Sequence, residues 1–165
     1  FIAFLCVSGL TLATNLESEA SVVAVGDNLI HPEVYNDAKT GENSFDFKPM
    51  YEPVKKDIQN ADIAYVNQES PLGGDDRPYH GFKRFNTPSS VAQDLVDTGF
   101  NFVNGSNNHA MEQGESGINN SIHTWDKFKD KVLFTGVFNS QEARDNIPTK
   151  TVNGCLLYTS TSPRD

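Results

Sequence analysis

Short, unbroken apolar runs alternate with amphipathic segments along this chain, and this alternation limits the fold more than any other feature. The runs carry β-branched and aromatic residues, and they occupy positions 21–25, 62–66, 100–103, 132–137 and 149–152. Unbroken apolar runs of this length are typical of strands buried on both faces. Helical patterns lie between them, which favours parallel strands joined by right-handed crossovers. The sequence therefore predicts an α/β fold built mostly from parallel β-α-β units.

The segments between the runs differ in character. Residues 32–46 are polar and predict a loop, whereas 48–60 predicts a helix with Met50, Val54 and Ile58 on its inward face. Residues 73–88 predict a long loop, and such loops are often functional or disordered. Further helices are expected at 88–98, 116–130 and 139–147.

Length and charge restrict the class of protein. The 165 residues suit one domain, and the net charge of -9 argues against nucleic acid as a partner. The two cysteines, Cys6 and Cys155, lie in the terminal segments, so neither a disulfide framework nor a thiolate metal site is expected. Any bound metal would use oxygen and imidazole ligands, which suits Mn, Mg, Fe or Zn.

The two ends differ in composition from the middle of the chain. Residues 1–20 begin with an apolar stretch of signal-peptide character, which predicts a truncated signal peptide or membrane anchor; a buried first element is the alternative. Residues 155–165 resemble the translation of a sequencing adapter, which predicts a non-native tail after a domain at 21–154. Asn153-Gly154 is also a strong hairpin signal, so a strand after it is compatible with either origin.

Polar residues follow three of the apolar runs. Asp27 follows the first run, Glu69 follows the second, and Asn108-His109 lies in the loop after the third. An isolated Asp or Glu at such a position is as well explained by a turn or a surface. Carboxyl ends of parallel strands meet at one edge, however, where open α/β sheets bind their ligands. The recurrence of polar residues after three of the runs therefore predicts a shared site.

The chemistry of this set suits a divalent metal ion. The carboxylates of Asp27 and Glu69 and the amide of Asn108 supply oxygen ligands, and the imidazole of His109 can bind metal or transfer a proton. His31 and Asn67 are further candidate ligands near the same strand ends. Candidate substrate contacts come from the most basic stretch of the chain, within the long loop: Arg77, His80 and Lys83. A purely solvated loop is the alternative for this stretch.

Three segments, GDNLIH at 26–31, NQESPL at 67–72 and NNHAMEQG at 107–114, resemble the CapA family of poly-γ-glutamate capsule proteins. That family belongs to the calcineurin-like metallophosphatase superfamily. The resemblance implies the N-terminal half of an α/β/β/α sandwich in a secreted or membrane-anchored protein of the bacterial cell surface. It also implies capsule polymer or a phosphorylated small molecule as ligand, capsule synthase subunits as partners, and membrane contact through the N-terminal segment.

The resemblance assigns roles position by position. Asp27 matches the aspartate of the first metal motif, and Glu69 stands where many metallophosphatases have a bridging aspartate. Asn108 matches a metal-binding asparagine, and His109 matches the catalytic histidine. The first motif lacks its Asp-x-His form, and Asn107 replaces a glycine before Asn-His. The later histidine motifs are absent, which implies a fragment with about half of a metal site.

Three functions are compatible with these features. The first is a capsule protein with a metallophosphatase-type site, and the second is a binding or scaffolding subunit of a polymer-secreting complex that keeps the fold without catalysis. The third is a general secreted phosphoesterase.

Glu112, close behind His109, is interpreted as a first-turn helix residue that faces the helix macrodipole.

Overall fold

Four parallel strands form the central sheet, and their spatial order follows their order along the chain. The computed structural model describes residues 19–158. The strands are β1 (Val22–Asp27), β2 (Ile63–Asn67), β3 (Phe102–Asn104) and β4 (Leu133–Thr135). The parallel β-α-β arrangement expected from the sequence is confirmed, and it fits half of a metallophosphatase-like α/β domain.

Helices and turns connect the strands. The helices are α1 (Pro32–Asp37), α2 (Lys48–Tyr51), α3 (Lys55–Asn60), α4 (Ser90–Thr98), α5 (Gly114–Asp126) and α6 (Gln141–Asp145). A 3-10 turn over Glu52–Val54 separates α2 from α3. Gly99 ends α4 with a φ of 119°, a left-handed conformation that glycine adopts without a steric penalty.

The hydrophobic core lies between one face of the sheet and the helices. Val66 and Val103, paired in register on neighbouring strands, are almost fully buried in a cluster with Leu95 of α4 and Trp125 of α5. Residues on the opposite face, such as Tyr65 and Phe102, contact each other edge to face instead. The core therefore positions the strands, while their carboxyl ends stay free for polar side chains.

Two expectations about the segment before β2 are wrong. The predicted loop at 32–46 contains α1, because Pro32 stands at its first position, where a proline costs no hydrogen bond. The predicted inward stripe of the next helix is also incorrect: Met50 and Val54 are each 43% exposed, whereas Ile58 is buried. The 3-10 turn shifts the helical phase, so Tyr51 rather than Met50 packs inward.

A hairpin follows the sheet. Strands β5 (Thr149–Val152) and β6 (Cys155–Tyr158) pair antiparallel around Asn153 and Gly154, which have φ values of 48° and 80°. Positive φ at both central residues defines the tight turn that an Asn-Gly pair favours. The expected N-terminal signal or anchor falls almost entirely on residues outside the described range. Among the residues described, no helix is long and apolar enough to cross a bilayer.

Candidate functional site

A chain of amide side chains runs across the carboxyl edge of the sheet. Asn67 of β2 donates from Nδ2 to Asp27 Oδ1 of β1 at 2.7 Å, and Asn104 of β3 donates to Asn67 Oδ1 at 2.9 Å. These contacts follow from the register, which pairs Asp27 with Asn67 and Asn67 with Asn104. The amides of the neighbouring strands thus hold the carboxylate of Asp27 in place.

The two predicted carboxylates meet. Glu69 lies just past β2, and its side chain, 14% exposed, interacts with the carboxylate of Asp27. Burial raises the pKa of Glu69, and the negative charge of Asp27 raises it further. Interaction with His109, and then with His31, opposes this shift in the pKa of Glu69. A cation bound between the two carboxylates would relieve this repulsion.

His109 is held by three contacts. Its Nδ1 lies 2.7 Å from Glu112 Oε1, and its Nε2 lies 3.1 Å from Asn108 Nδ2 and 3.7 Å from Glu69 Oε1. A carboxylate only accepts hydrogen bonds, so the short contact with Glu112 assigns the proton to Nδ1. Nε2 then carries the lone pair and accepts from Asn108 Nδ2, and a substrate proton or a metal ion would replace that contact.

Glu112 is therefore not the helix first-turn residue expected from the sequence. Helix α5 begins only at Gly114, and the side chain of Glu112 turns back to His109. Its second oxygen, Oε2, accepts from the backbone N–H of Phe85 at 2.7 Å. The carboxylate thereby links the histidine loop to the long loop at 73–88. The sequence signal was the i, i+3 spacing from His109, which brings the two side chains together in a tight turn.

A buried polar network lies next to the site and supports it. The sequence interpretation did not identify this network. Asn28 accepts from the hydroxyl of Tyr51 at 2.8 Å and donates to Gln68 Oε1 at 2.7 Å. Gln68 in turn donates to the backbone oxygen of Ser70 at 2.7 Å. Burial raises the pKa of Tyr51 far above its ordinary value. Since Asn28 and Gln68 each adjoin a site carboxylate in sequence, the network fixes the backbone from which Asp27 and Glu69 project.

The candidate ligand His31 lies close to this cluster, as does Asn107, which replaces a glycine before Asn-His. Asn107 accepts from the backbone N–H of His109 at 2.9 Å and so sets the histidine loop in place. His31 packs edge to face on Phe85, with ring centroids 5.0 Å apart, and Phe85 packs on His109 at 4.8 Å. His31 therefore flanks the site across an aromatic ring.

The predicted substrate contacts lie together in a neighbouring groove. Arg77, His80 and Lys83 all line an open groove of about 910 Å³ in the long loop. Gln113 also lines this groove, and its Nε2 donates to the backbone oxygens of Arg84 and Phe85 at 3.1 and 2.8 Å. Asp27, Glu69 and His109 do not line it, but Phe85 packs on His109.

The donor set fits a divalent metal ion in part. Asp27 and Glu69 present two converging carboxylates whose mutual repulsion a cation would relieve. Within residues 19–158, however, no three His, Cys, Asp or Glu side chains are arranged as a ligand group. Asn108 contacts His109 rather than either carboxylate through its Nδ2. Its role as a ligand remains a prediction.

A parallel sheet with carboxylates, amides and a histidine at its carboxyl edge defines an α/β protein with a polar cluster at that edge. The match of residues 21–161 to the family described as bacterial capsule synthesis protein PGA_cap identifies it further. The match covers most of the chain, which therefore belongs to this family. No curated protein matches the chain.

Proposed function

We propose that this protein acts at the bacterial cell surface in the synthesis or export of poly-γ-glutamate capsule polymer, through a site that binds a divalent metal ion. Family membership supports the capsule role. The observation that supports the metal site is the meeting of Asp27 and Glu69 at the sheet edge, beside the Nε2 of His109. A phosphoryl or related ester of the polymer pathway is the proposed substrate.

Each side chain has a distinct part in this proposal. Asp27 and Glu69 hold the ion, which is Mn, Zn, Fe or Mg and which supplies Lewis acidity to the substrate when bound. Two carboxylates are enough for an ion that keeps several water ligands, as Mg²⁺ does. His109 exchanges a proton with the substrate at Nε2, while Glu112 keeps Nδ1 protonated. Asn108 orients the ring through its contact with Nε2 until the substrate takes its place there.

Metal titration of the full chain tests the site. Mn²⁺ at about one hundred times its Kd is expected to stabilise the folded protein by about 2.7 kcal/mol. Asp27→Asn and Glu69→Gln should each weaken binding at least about tenfold, because a carboxylate ligand is lost. Asp37→Asn, an exposed change of equal charge at the end of α1, is the control. Equal metal binding by all four proteins would exclude this site.

A non-catalytic role is the second candidate, and one observation favours it. The described residues contain no three-ligand metal group, so a polymer-binding subunit needs only the fold and the polar edge. Capsule production by a deletion strain that carries each variant separates the two functions. Loss of capsule with His109→Ala indicates catalysis, whereas full capsule with His109→Ala and Asn108→Ala indicates a binding or scaffolding role.

A further inference from the structure

The long loop at 73–88 has a basic tip with a fixed shape. His80 and Asn86 form two backbone hydrogen bonds, at 3.1 and 3.0 Å, that close the segment between them into a small loop. Three consecutive residues of that loop project into solvent: Phe82, Lys83 and Arg84. We define these three residues as the basic tip.

The base of the loop is anchored from several directions. The buried side chain of Asn86 donates to the backbone oxygens of Gly74 and Pro78 at 2.9 and 3.1 Å. Tyr79 packs edge to face on Phe45, with ring centroids 5.4 Å apart. These contacts show that the tip is held on a built support. A ligand that binds there pays little ordering entropy, since the loop is already organised.

The charges of the tip are available to a ligand. Within residues 19–158, neither Lys83 nor Arg84 forms an ion pair, whereas Arg77 is engaged by Asp76 at 3.2 Å and by Ser116 at 3.3 Å. Lys83 Nζ lies 5.9 Å from the ring centre of Phe82, whose side chain is 71% exposed. Cations and an aromatic surface therefore stand side by side on the groove of about 910 Å³.

We propose that this groove binds a segment of an anionic polymer through repeated carboxylates, with Lys83 and Arg84 pairing with the charges and Phe82 packing on the aliphatic spacers. The volume lies near the upper end of the usual range for ligand pockets, roughly 300–1,000 Å³, which exceeds the need of a single small anion. An exposed phenyl ring would also contribute nothing to the binding of a lone phosphate. The polymer class rests on the proposed capsule function.

The position of the groove connects binding to the candidate metal site. Gln113 lines the groove and holds Arg84 and Phe85 by their backbone oxygens, while Phe85 contacts both His109 and Glu112. A chain that lies along the basic tip would thus pass beside the histidine loop. The net charge of -9 does not prevent this, because salt screens charges beyond about 8 Å at physiological ionic strength.

Fluorescence anisotropy with labelled γ-linked oligoglutamate tests the proposal on the full chain, in buffer with a chelator. Wild type should bind the oligomer, and about 1 M salt should weaken binding. The double variant Lys83→Glu, Arg84→Glu should raise Kd at least about tenfold, and Phe82→Ala about fivefold. The matched control is Lys56→Glu, Lys131→Glu, which changes the net charge equally at exposed positions elsewhere and should leave Kd unchanged.

Several outcomes would overturn the proposal. Equal weakening by the tip variant and the control shows general charge repulsion, and equal binding of neutral oligoglutamine shows that carboxylates are not recognised. Competition by inorganic phosphate at matched charge concentration shows a single-anion site instead. Because the buffer contains a chelator, the oligomer experiment is independent of metal binding. Failure of the metal experiment alone therefore counts against the proposed function, and failure of oligomer binding alone counts against the groove.

Discussion

At the scale of single residues, the groups around the ring of His109 set its tautomer and orientation. Its two ring nitrogens face different groups, with Glu112 on one side and Asn108 on the other. The ring is also covered by Phe85, so its side chain is only 11% exposed. An imidazole fixed in this way has one defined tautomer, which is the condition for directed proton transfer or metal binding at Nε2.

Glu112→Gln is expected to disturb this tautomer. His109 Nδ1 and the N–H of Phe85 face different oxygens of Glu112, so one of these donors would face the amide NH2 of a Gln instead of an acceptor. We expect the free energy of unfolding to fall by about 2 kcal/mol, as for a lost hydrogen bond to a charged group. Nitrogen NMR of the ring should show Nδ1–H in wild type and a mixture in the variant.

Glu115→Gln is the matched control for this change. Glu115 lies in the first turn of α5 and is exposed, so its loss should cost less than about 1 kcal/mol. The control should also leave the His109 tautomer as in wild type. If Glu112→Gln keeps Nδ1 fully protonated, Glu112 does not set the tautomer.

The sequence identified part of the site and missed its support for a physical reason. Asp27, Glu69 and His109 could be found because carboxyl ends of parallel strands share an edge. Asn28 and Gln68 were not identified, since their burial depends on a network that Tyr51 joins from a helix distant in sequence. Long-range packing of this kind leaves no local pattern in the chain.

At the scale of elements, one carboxylate joins two helices. Asp94 of α4 accepts from the backbone N–H of Phe47, just before α2, at 2.7 Å. Burial raises the pKa of Asp94, although this hydrogen bond opposes the shift. The folded state therefore favours the protonated carboxyl more than the unfolded chain does. The resulting stability is present below the unfolded pKa of about 3.9 and is lost as pH rises through the folded pKa.

Asp94→Asn should consequently gain stability relative to wild type as pH rises. The Asn oxygen can still accept from Phe47, while the buried charge is removed. Urea unfolding at about pH 4 and about pH 7 measures this difference. Asp97→Asn is the control, because Asp97 is exposed on the same helix and should show the smaller change. A difference that shrinks toward neutral pH would contradict the assignment.

Close packing of α5 on the long loop gives a second prediction at this scale. A Cβ on Gly117 would collide with Cβ of Gln113 and lie 3.6 Å from the backbone of Gly73. Gly117→Ala gains about 1 kcal/mol of helix propensity, but overpacking costs about 1–3 kcal/mol. We expect a net loss of about 1 kcal/mol in the free energy of unfolding, because Gln113 and the loop it holds must move.

Gly26→Ala serves as the control for Gly117→Ala. A Cβ at Gly26 meets no atom within 4 Å, and this residue lies in β1. Its substitution should be neutral or slightly stabilising in the same urea measurement, since alanine restricts the unfolded chain more than glycine does. Equal effects of the two substitutions would indicate that the packing at Gly117 is not tight.

At the scale of the whole molecule, the sheet, the helix boundaries and the hairpin differ in how well the sequence predicts them. The alternation of strands and helices sufficed to predict parallel β-α-β units, and the structure adds that strand order follows chain order. Helix boundaries were less predictable, because the 3-10 turn before α3 shifted the inward face. The hairpin was predictable from Asn153-Gly154 alone, a local turn signal that needs no tertiary contact.

Deletion of residues 155–165 should leave the sheet folded. Leu156 and Tyr158 are 60% and 62% exposed, so β6 buries little apolar surface. The loss in unfolding free energy should stay below about 1 kcal/mol, since an isolated two-stranded hairpin contributes little by itself. Urea unfolding followed by circular dichroism measures this, with removal of residues 159–165 alone as the control. A loss above about 3 kcal/mol, or a transition that is no longer cooperative, would show that β6 is integral to the domain.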